Sequence, residues 1–350
     1  MSLKIGVIGV GMIGQDHIRR LSTVLTGATV VAVSDVDAKL SSKVAARVGA
    51  KRYATGEELI TARDVEAVIV ASWGPTHSRY VLAAIAAGKP VFCEKPLAET
   101  VEECEAVLDA EVKRGKRLVQ LGFMRRFDAQ YQAMKEAISS GVIGAPLIFQ
   151  SGHRNPSVPD YYTANNALTD TAVHDIDIAR FLLEDEPVAI SVKSPRKNRR
   201  GNGLADPLLT LIEMRSGALV TIETSVNIAY GYDIRGEVIG EEGVVTLADR
   251  NPIVVKSNGT FSGRVPADWK ARFETAFDTE FREWIAAAAA GGATGPSAWD
   301  GYVATVTTTT GVRAMASAQR EVVVLREPPA LYQAGWAQTH HEPSSLGVMS

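Results

Sequence analysis

Cysteine is scarce: only Cys93 and Cys104 occur in 350 residues, and they form no C-x-x-C pair. That spacing excludes a disulfide framework and a thiolate zinc site. Charge of one sign is also lacking. The formal net charge is -3, and no long basic run gathers lysine and arginine, which argues against a nucleic-acid partner. The densest basic stretch, residues 196–200, lies between Pro195 and Gly201 and reads as a solvated loop. No apolar stretch reaches the roughly 20 residues needed to span a bilayer. The apolar start of the chain, residues 5–13, is broken by glycines, preceded by one lysine and followed by no small-residue cleavage site, so it is not read as a signal peptide. The expectation is a cytoplasmic protein with no membrane partner. There is no G-x-S-x-G, no P-loop and no H-E-x-x-H. His340-His341 has no partner ligands at sensible spacing, so no metal site is expected.

What is present is ordinary globular material, 46% hydrophobic, with length for two domains of roughly 100–200 residues each. In the first third, short β-branched runs (residues 4–9, 29–34, 65–71, 90–93 and 117–122) alternate with helical patterns (13–25, 38–48, 76–87 and 101–113). Such alternation predicts a doubly wound parallel sheet with helices on both faces, a Rossmann domain over residues 1–122.

The first strand runs into Gly9-Val10-Gly11-Met12-Ile13-Gly14. A G-x-G-x-x-G alone is a weak signal. Here it has the required context: a strand before, a helix after, and an acidic residue, Asp35, at the end of the next strand. Gly9 permits the tight turn, Gly11 lets backbone approach a pyrophosphate, and Gly14 lets helix and strand pack closely. The helix N-terminus then offers free N–H groups and positive potential to phosphates. Met12 and Ile13 fall inside this cofactor loop. Asp35 suits the adenosine ribose hydroxyls and repels a 2′-phosphate, so the expected cofactor is NAD rather than NADP; a turn or N-cap role for Asp35 is compatible with this.

Beyond residue 122 the pattern changes. Helices are expected at 127–140, 170–183, 269–290 and 298–318. Strands are expected at 146–153, 188–193, 208–214, 218–226, 233–240 and 244–247, with turn dipeptides Ser216-Gly217 and Glu242-Gly243 between some of them. Consecutive strands with short turns predict a large, mostly antiparallel open sheet in a second, α+β domain over 123–325. Its exposed face is suited to a site wall or an oligomer interface. Residues 326–350 read as an irregular tail, either mobile or an arm across a neighbouring subunit.

Three residues carry candidate chemistry. Lys95, in Glu94-Lys95-Pro96, follows a strand whose carboxyl end is where open α/β sheets bind ligands. Asp170 and His174 are four apart on one expected helix and so share a face. Alcohol oxidation needs a base for the hydroxyl proton, which a histidine supplies near neutral pH. A neighbouring carboxylate would orient the imidazole, and a lysine ammonium would stabilise developing alkoxide charge. Plainer readings stand beside these: a surface lysine before a turn proline, an N-cap aspartate, a structural histidine. Spacing alone leaves them open.

These residues together resemble the Gfo/Idh/MocA oxidoreductases, which pair an N-terminal Rossmann domain with a C-terminal α/β domain. Glu94-Lys95-Pro96 and Asp170-x-x-x-His174 match that family's catalytic elements. The resemblance is closer to its bacterial inositol 2-dehydrogenases. It is carried there by Gly122-Phe123-Met124-Arg125-Arg126-Phe127-Asp128, His153-Arg154-Asn155-Pro156 and Tyr230-Gly231-Tyr232-Asp233. It covers residues 1–247 and thins beyond. It implies NAD, a Lys95-Asp170-His174 catalytic set, and a homotetramer. It also implies cofactor contacts from Ser72, Trp73, His77, Glu94 and Lys95. Substrate contacts are implied from Met124, Arg125, His153, Asn155 and Tyr232 as well as the catalytic set. The implied activity is oxidation of a cyclic polyol, with myo-inositol first. scyllo-Inositol or a pyranose comes next, and an NAD-recycling glycosidase or a non-catalytic redox sensor stands further off.

Overall fold

The computed structural model describes residues 2–333 except 197, 200, 202 and 249–253. His340-His341 and most of the expected tail lie outside the described residues, as do Lys197 and Arg200 of the basic stretch. The first sheet contains β1 (Leu3–Ile8), β2 (Ala28–Ser34), β3 (Lys51–Arg52), β4 (Ala67–Val70), β5 (Val91–Cys93) and β6 (Val119–Leu121). Their order is β3-β2-β1-β4-β5-β6, and every pairing is parallel. The connection from β1 runs toward β2 and that from β4 runs the opposite way toward β5, which opens a crevice at the carboxyl ends of β1 and β4. Ile5, Val7, Val33, Val68, Ile69 and Phe92 are all fully buried, as near-continuous apolar strands between two helix layers must be.

The helices are α1 (Met12–Thr23), α2 (Ala38–Val48), α3 (Gly56–Thr61), α4 (His77–Ala87) and α5 (Val101–Arg114). Asp37 caps α2 by accepting the Lys39 and Leu40 N–H groups, so the helix-capping role falls to Asp37 and not to Asp35. Neither β3 nor α3 was expected, since both are too short to show periodicity. The start of α3 was nonetheless signalled by Thr55, whose hydroxyl accepts the Glu58 N–H.

The second half contains α6 (Ala129–Ser139), β7 (Pro146–Arg154), α7 (Ala164–Asn166), a π-helical turn (Ala167–Ala172) and α8 (Val173–Leu183). Then come β8 (Pro187–Lys193), β9 (Leu208–Met214), β10 (Leu219–Ser225), β11 (Asp233–Gly240), β12 (Val244–Thr246), β13 (Val255–Ser257) and β14 (Thr260–Ser262). The chain continues through α9 (Trp269–Ala289), α10 (Ala298–Ser317), β15 (Glu321–Val322) and α11 (Ala330–Gln333). The second sheet runs β12-β11-β7-β10-β9-β8-β15 and is antiparallel except for β7 beside β10. β13 and β14 form a separate hairpin.

Two features depart from the sequence pattern. α9 returns to the Rossmann half, where Phe281, Trp284 and Ile285 join one buried cluster with Leu3, Ile5 and Val33. Burial of each such side chain contributes about 1.5–3 kcal/mol. The beginning of the tail is not irregular: Tyr332, in α11, is buried and its hydroxyl donates to Glu111 of α5 at 2.7 Å. No helix among the described residues is long and apolar enough to cross a membrane.

Candidate active site

The glycine loop between β1 and α1 has the geometry its sequence requires. Gly9 has φ +90°, and a Cβ there would lie 2.4 Å from the Ser72 nitrogen, so only glycine lets the loops after β1 and β4 touch. A Cβ on Gly14 would lie 2.0 Å from the Gly9 carbonyl oxygen. Gly11, in contrast, faces open space and caps α1 without any side-chain bond. The first N–H groups of α1 therefore point at an uncrowded concavity, which fits the pyrophosphate of a dinucleotide. Asp35 braces this loop, accepting the Val10 N–H at 2.7 Å and the Asp37 N–H at 2.9 Å.

A cavity of about 410 Å³ runs from this loop to the second sheet. Met12, Ile13, Ser72, His77, Glu94, Lys95, Met124, His153, Asn155, Asp170, His174 and Tyr232 line it, so most of the residues expected from the sequence converge. Lys95, 19% exposed at its side chain, donates from Nζ to Asp170 Oδ1 at 2.5 Å and to the Asp170 carbonyl at 3.2 Å. The Lys95 charge, working against partial burial, holds the Asp170 carboxyl below its ordinary range.

His174 is half-buried on the wall, with the Phe123 ring edge-on at 6.1 Å. Its Nδ1 is buried and finds no hydrogen-bond partner among the described residues. Burial first, then the charges of Lys95 and Arg125, push the imidazole well below the usual histidine value. The expectation that Asp170 orients this ring is not met. Residues 167–172 form a π turn, whose i→i+5 spacing breaks the α-helical i,i+4 relation, and the Asp170 carboxylate engages Lys95 instead.

Two other placements differ from expectation. Arg125 does not line the cavity: it lies 1% exposed behind His153 and donates to Asp175 Oδ1 at 2.7 Å. Trp73 is 78% exposed and does not line the cavity either. His77 lines it but uses both ring nitrogens on the Ser72 and Pro96 carbonyls, at 2.9 and 2.7 Å, and so ties together the loops after β4 and β5.

Sequence reasoning missed Asp175, fully buried, which also accepts from the Ser151 hydroxyl and contacts His153. It missed His17, whose Nε2 bonds Glu94 at 2.7 Å, and the pocket walls Thr171, Trp269 and Phe277. The signal for Asp175 was available: α8 is apolar nearly all round, and charges in such a helix must find buried partners. Among the described residues no group of three or more histidine, cysteine, aspartate or glutamate side chains is placed to hold a metal ion.

The glycine cradle at the head of a doubly wound sheet, opening onto a polar pocket with an ammonium and a neutral imidazole, defines a nicotinamide-dependent oxidoreductase. Residues 3–123 match the model of the oxidoreductase family with an NAD-binding Rossmann fold, and residues 131–246 match the GFO/IDH/MocA C-terminal domain. The chain is 51% identical over 333 residues to inositol 2-dehydrogenase 3 of Saccharopolyspora erythraea, covering 95% of this chain and 98% of the relative. It is 49% identical over 335 residues to an inositol 2-dehydrogenase of Azotobacter vinelandii, covering 95% and 99%. A crystal structure of myo-inositol dehydrogenase from Lactobacillus casei, in complex with NAD(H) and myo-inositol, superposes with a TM-score of 0.93 at 37% identity, covering 95% of this chain and all of that one. This chain belongs to the Gfo/Idh/MocA oxidoreductase family, and its cofactor is NAD.

Proposed function

We infer that the protein oxidises the single axial hydroxyl of myo-inositol to the 2-keto inositol. The observation that carries this reading is convergence: Lys95, Asp170, His153, Asn155, His174 and Tyr232 meet in the pocket into which Met12 and Ile13 of the glycine loop also project. The names of relatives at 48–51% identity support the same substrate class.

Each role follows from the chemistry of the group. His174, neutral because burial and two nearby cations oppose its protonation, takes the hydroxyl proton. Lys95, held by Asp170, donates to the same oxygen and stabilises its developing negative charge. His153, Asn155 and Tyr232 pair the remaining hydroxyls, and Met124 closes the apolar side. NAD, held by the glycine loop, would supply the hydride acceptor. Around the cofactor, Gly9, Gly11 and Gly14 shape the pyrophosphate cradle, Asp35 selects NAD over NADP, and Ser72, His77 and Glu94 border the nicotinamide end.

An axial hydroxyl leaves its carbon's hydrogen equatorial, pointing outward where a nicotinamide can meet it. The deciding experiment is NADH formation, followed by absorbance, with myo-inositol, scyllo-inositol, glucose and sorbitol under one set of conditions. A clear preference for myo-inositol is expected, because a site built to pair hydroxyls rejects analogues that leave its groups unpaired by as much as about 10⁴–10⁵. Preference for scyllo-inositol or a sugar overturns the substrate. With an aryl glycoside added to the panel, its cleavage without net NADH identifies the recycling glycosidase, and the absence of any turnover favours a sensor.

The open face of the second sheet shows Leu209 and Val244 together with Arg154, Glu223 and Asp233. This mixture of exposed apolar and charged groups supports its reading as the contact between copies in a homotetramer, which sedimentation velocity tests. Cys93 and Cys104, both free and buried, suit a reducing cytoplasm.

A further inference from the structure

Behind the pocket wall lies a buried group that the proposed chemistry does not use. Asp175, 0% exposed at the start of α8, receives the Arg125 guanidinium at 2.7 Å and the Ser151 hydroxyl on Oδ1, while His153 Nδ1 lies 2.9 Å from Oδ2. The same Nδ1 lies 2.9 Å from Arg125 Nη2. His153 is therefore placed between a group that only donates and a group that, ionised, only accepts.

Which neighbour the ring nitrogen serves decides what His153 shows the substrate. Burial raises the Asp175 carboxyl, but Arg125, His153 and Ser151 outweigh it and keep the group ionised. Burial, and then Arg125, push His153 below its ordinary value, so the ring carries one N–H. If that N–H sits on Nδ1, it satisfies Asp175. If it sits on Nε2, a lone pair on Nδ1 faces a carboxylate oxygen at hydrogen-bond distance, with no proton between them. Arg125 has other acceptors in Asp175 Oδ1 and the Tyr232 hydroxyl. On the pocket side, Nε2 has only the long 3.4 Å approach of the Tyr232 hydroxyl among the described residues.

We propose that Asp175 is a positioning residue: it fixes His153 in the Nδ1–H tautomer, so that the Nε2 lone pair faces the pocket and accepts a hydrogen bond from a substrate hydroxyl. This rests on the reading of the pocket as a polyol site. It adds a sign to that reading, because this point of the wall is an acceptor and selects a ligand with a hydroxyl there over one with a carbonyl or ether oxygen.

Two measurements test the idea separately from the function. Side-chain ¹⁵N chemical shifts, with the His153 signals assigned by their loss in His153→Gln, should show a protonated Nδ1 and an unprotonated Nε2. The opposite pattern overturns the proposal even if the protein turns over no inositol at all. In kinetics, Asp175→Asn should raise KM for myo-inositol by about tenfold to a hundredfold, the range for a hydrogen bond involving a charged group. KM for NAD should stay unchanged. In a His153→Gln background the same substitution should add no further rise. An equal rise in both backgrounds shows Asp175 acting as general scaffold and sinks the proposal. Should Asp175→Asn fail to fold because Arg125 loses its partner, Ser151→Ala carries the test. It removes one bond that aims the carboxylate, leaves every charge in place, and should raise KM for myo-inositol in wild type but not in His153→Gln; an unchanged KM counts against the role.

Discussion

The cofactor cradle and the substrate wall open onto one pocket, yet they are built from different material. The cradle is six consecutive residues, Gly9 to Gly14, and it works through backbone N–H groups and the absence of Cβ atoms. The wall is assembled from side chains on separate segments, fixed by pairs as distant as Lys95 and Asp170, 75 residues apart, or Arg125 and Asp175, 50 apart. The cradle therefore depends on shape, which a carbon added at Gly9 or Gly14 destroys. The wall depends on charge and tautomer, which an isosteric change can destroy without moving an atom.

The largest effect expected from breaking this contrast is on the cradle. Gly14→Ala places a methyl on the Gly9 carbonyl and should destabilise the fold by about 1–3 kcal/mol or more while abolishing NAD binding. Gly11→Ala meets nothing within 4 Å in the protein itself. It should leave the melting temperature of the cofactor-free protein unchanged and still weaken NAD. Calorimetry with and without NAD checks both; equal loss of stability in the two variants removes the distinction between packing glycine and phosphate glycine.

On the wall, Lys95→Ala and His174→Ala should lower kcat by about 10²–10⁴-fold, while His174→Ala retains NAD affinity. Because burial and the Lys95 charge depress the His174 imidazole, the neutral base persists to acidity where an ordinary histidine, at about 6.5, would be protonated. The acid limb of kcat/KM should fall below that value, and Lys95→Met should move it upward in whatever activity remains. A wild-type limb at or above the ordinary value takes the base role away from His174.

The same contrast explains what was legible in the sequence. The cradle could be read because its determinants are contiguous and steric. The alternating strands and helices could be read because apolar periodicity is a local property, and the motif resemblance carried most of the pocket residues. The orientation of Asp170 could not, since it hinges on a π turn within an apparently continuous helical pattern. Nor could the retreat of Arg125 behind the wall, which depends on Asp175, Ser151 and His153 arriving from α8 and β7. The return of α9 to the Rossmann core was equally hidden, because an amphipathic pattern says which face is buried and not against which sheet.

Asp35 lies between the two kinds of construction: a side chain that braces the cradle through Val10 and that, in the role proposed for it, would also meet the ribose. Asp35→Ser should erode the preference for NAD over NADP, with the ratio of the two kcat/KM values as the readout. Wild type using both cofactors equally well would remove the selectivity role and leave only the bracing bonds.

The smallest effect is expected at the seam where α9 joins the two regions. Glu280, 0% exposed, has both carboxylate oxygens buried without a hydrogen-bond partner among the described residues. Burial pushes its carboxyl well above the ordinary range, and Glu94 pushes it further, against the opposing charge of Arg20. The folded chain thus keeps a proton that the unfolded chain releases once pH exceeds the free glutamate value of about 4.3. Since the native state then binds more protons than the unfolded state, stability falls as pH rises through the neutral range. Glu280→Gln supplies a neutral group of the same shape and removes the unfolded state's advantage. It should melt with wild type at pH 4 and above it at pH 8, by on the order of a few degrees for each kcal/mol recovered. A variant that melts lower than wild type at pH 8 would mean that Glu280 is ionised and paired. The seam would then be held by charge, as the wall is, and not by packing, as the cradle is.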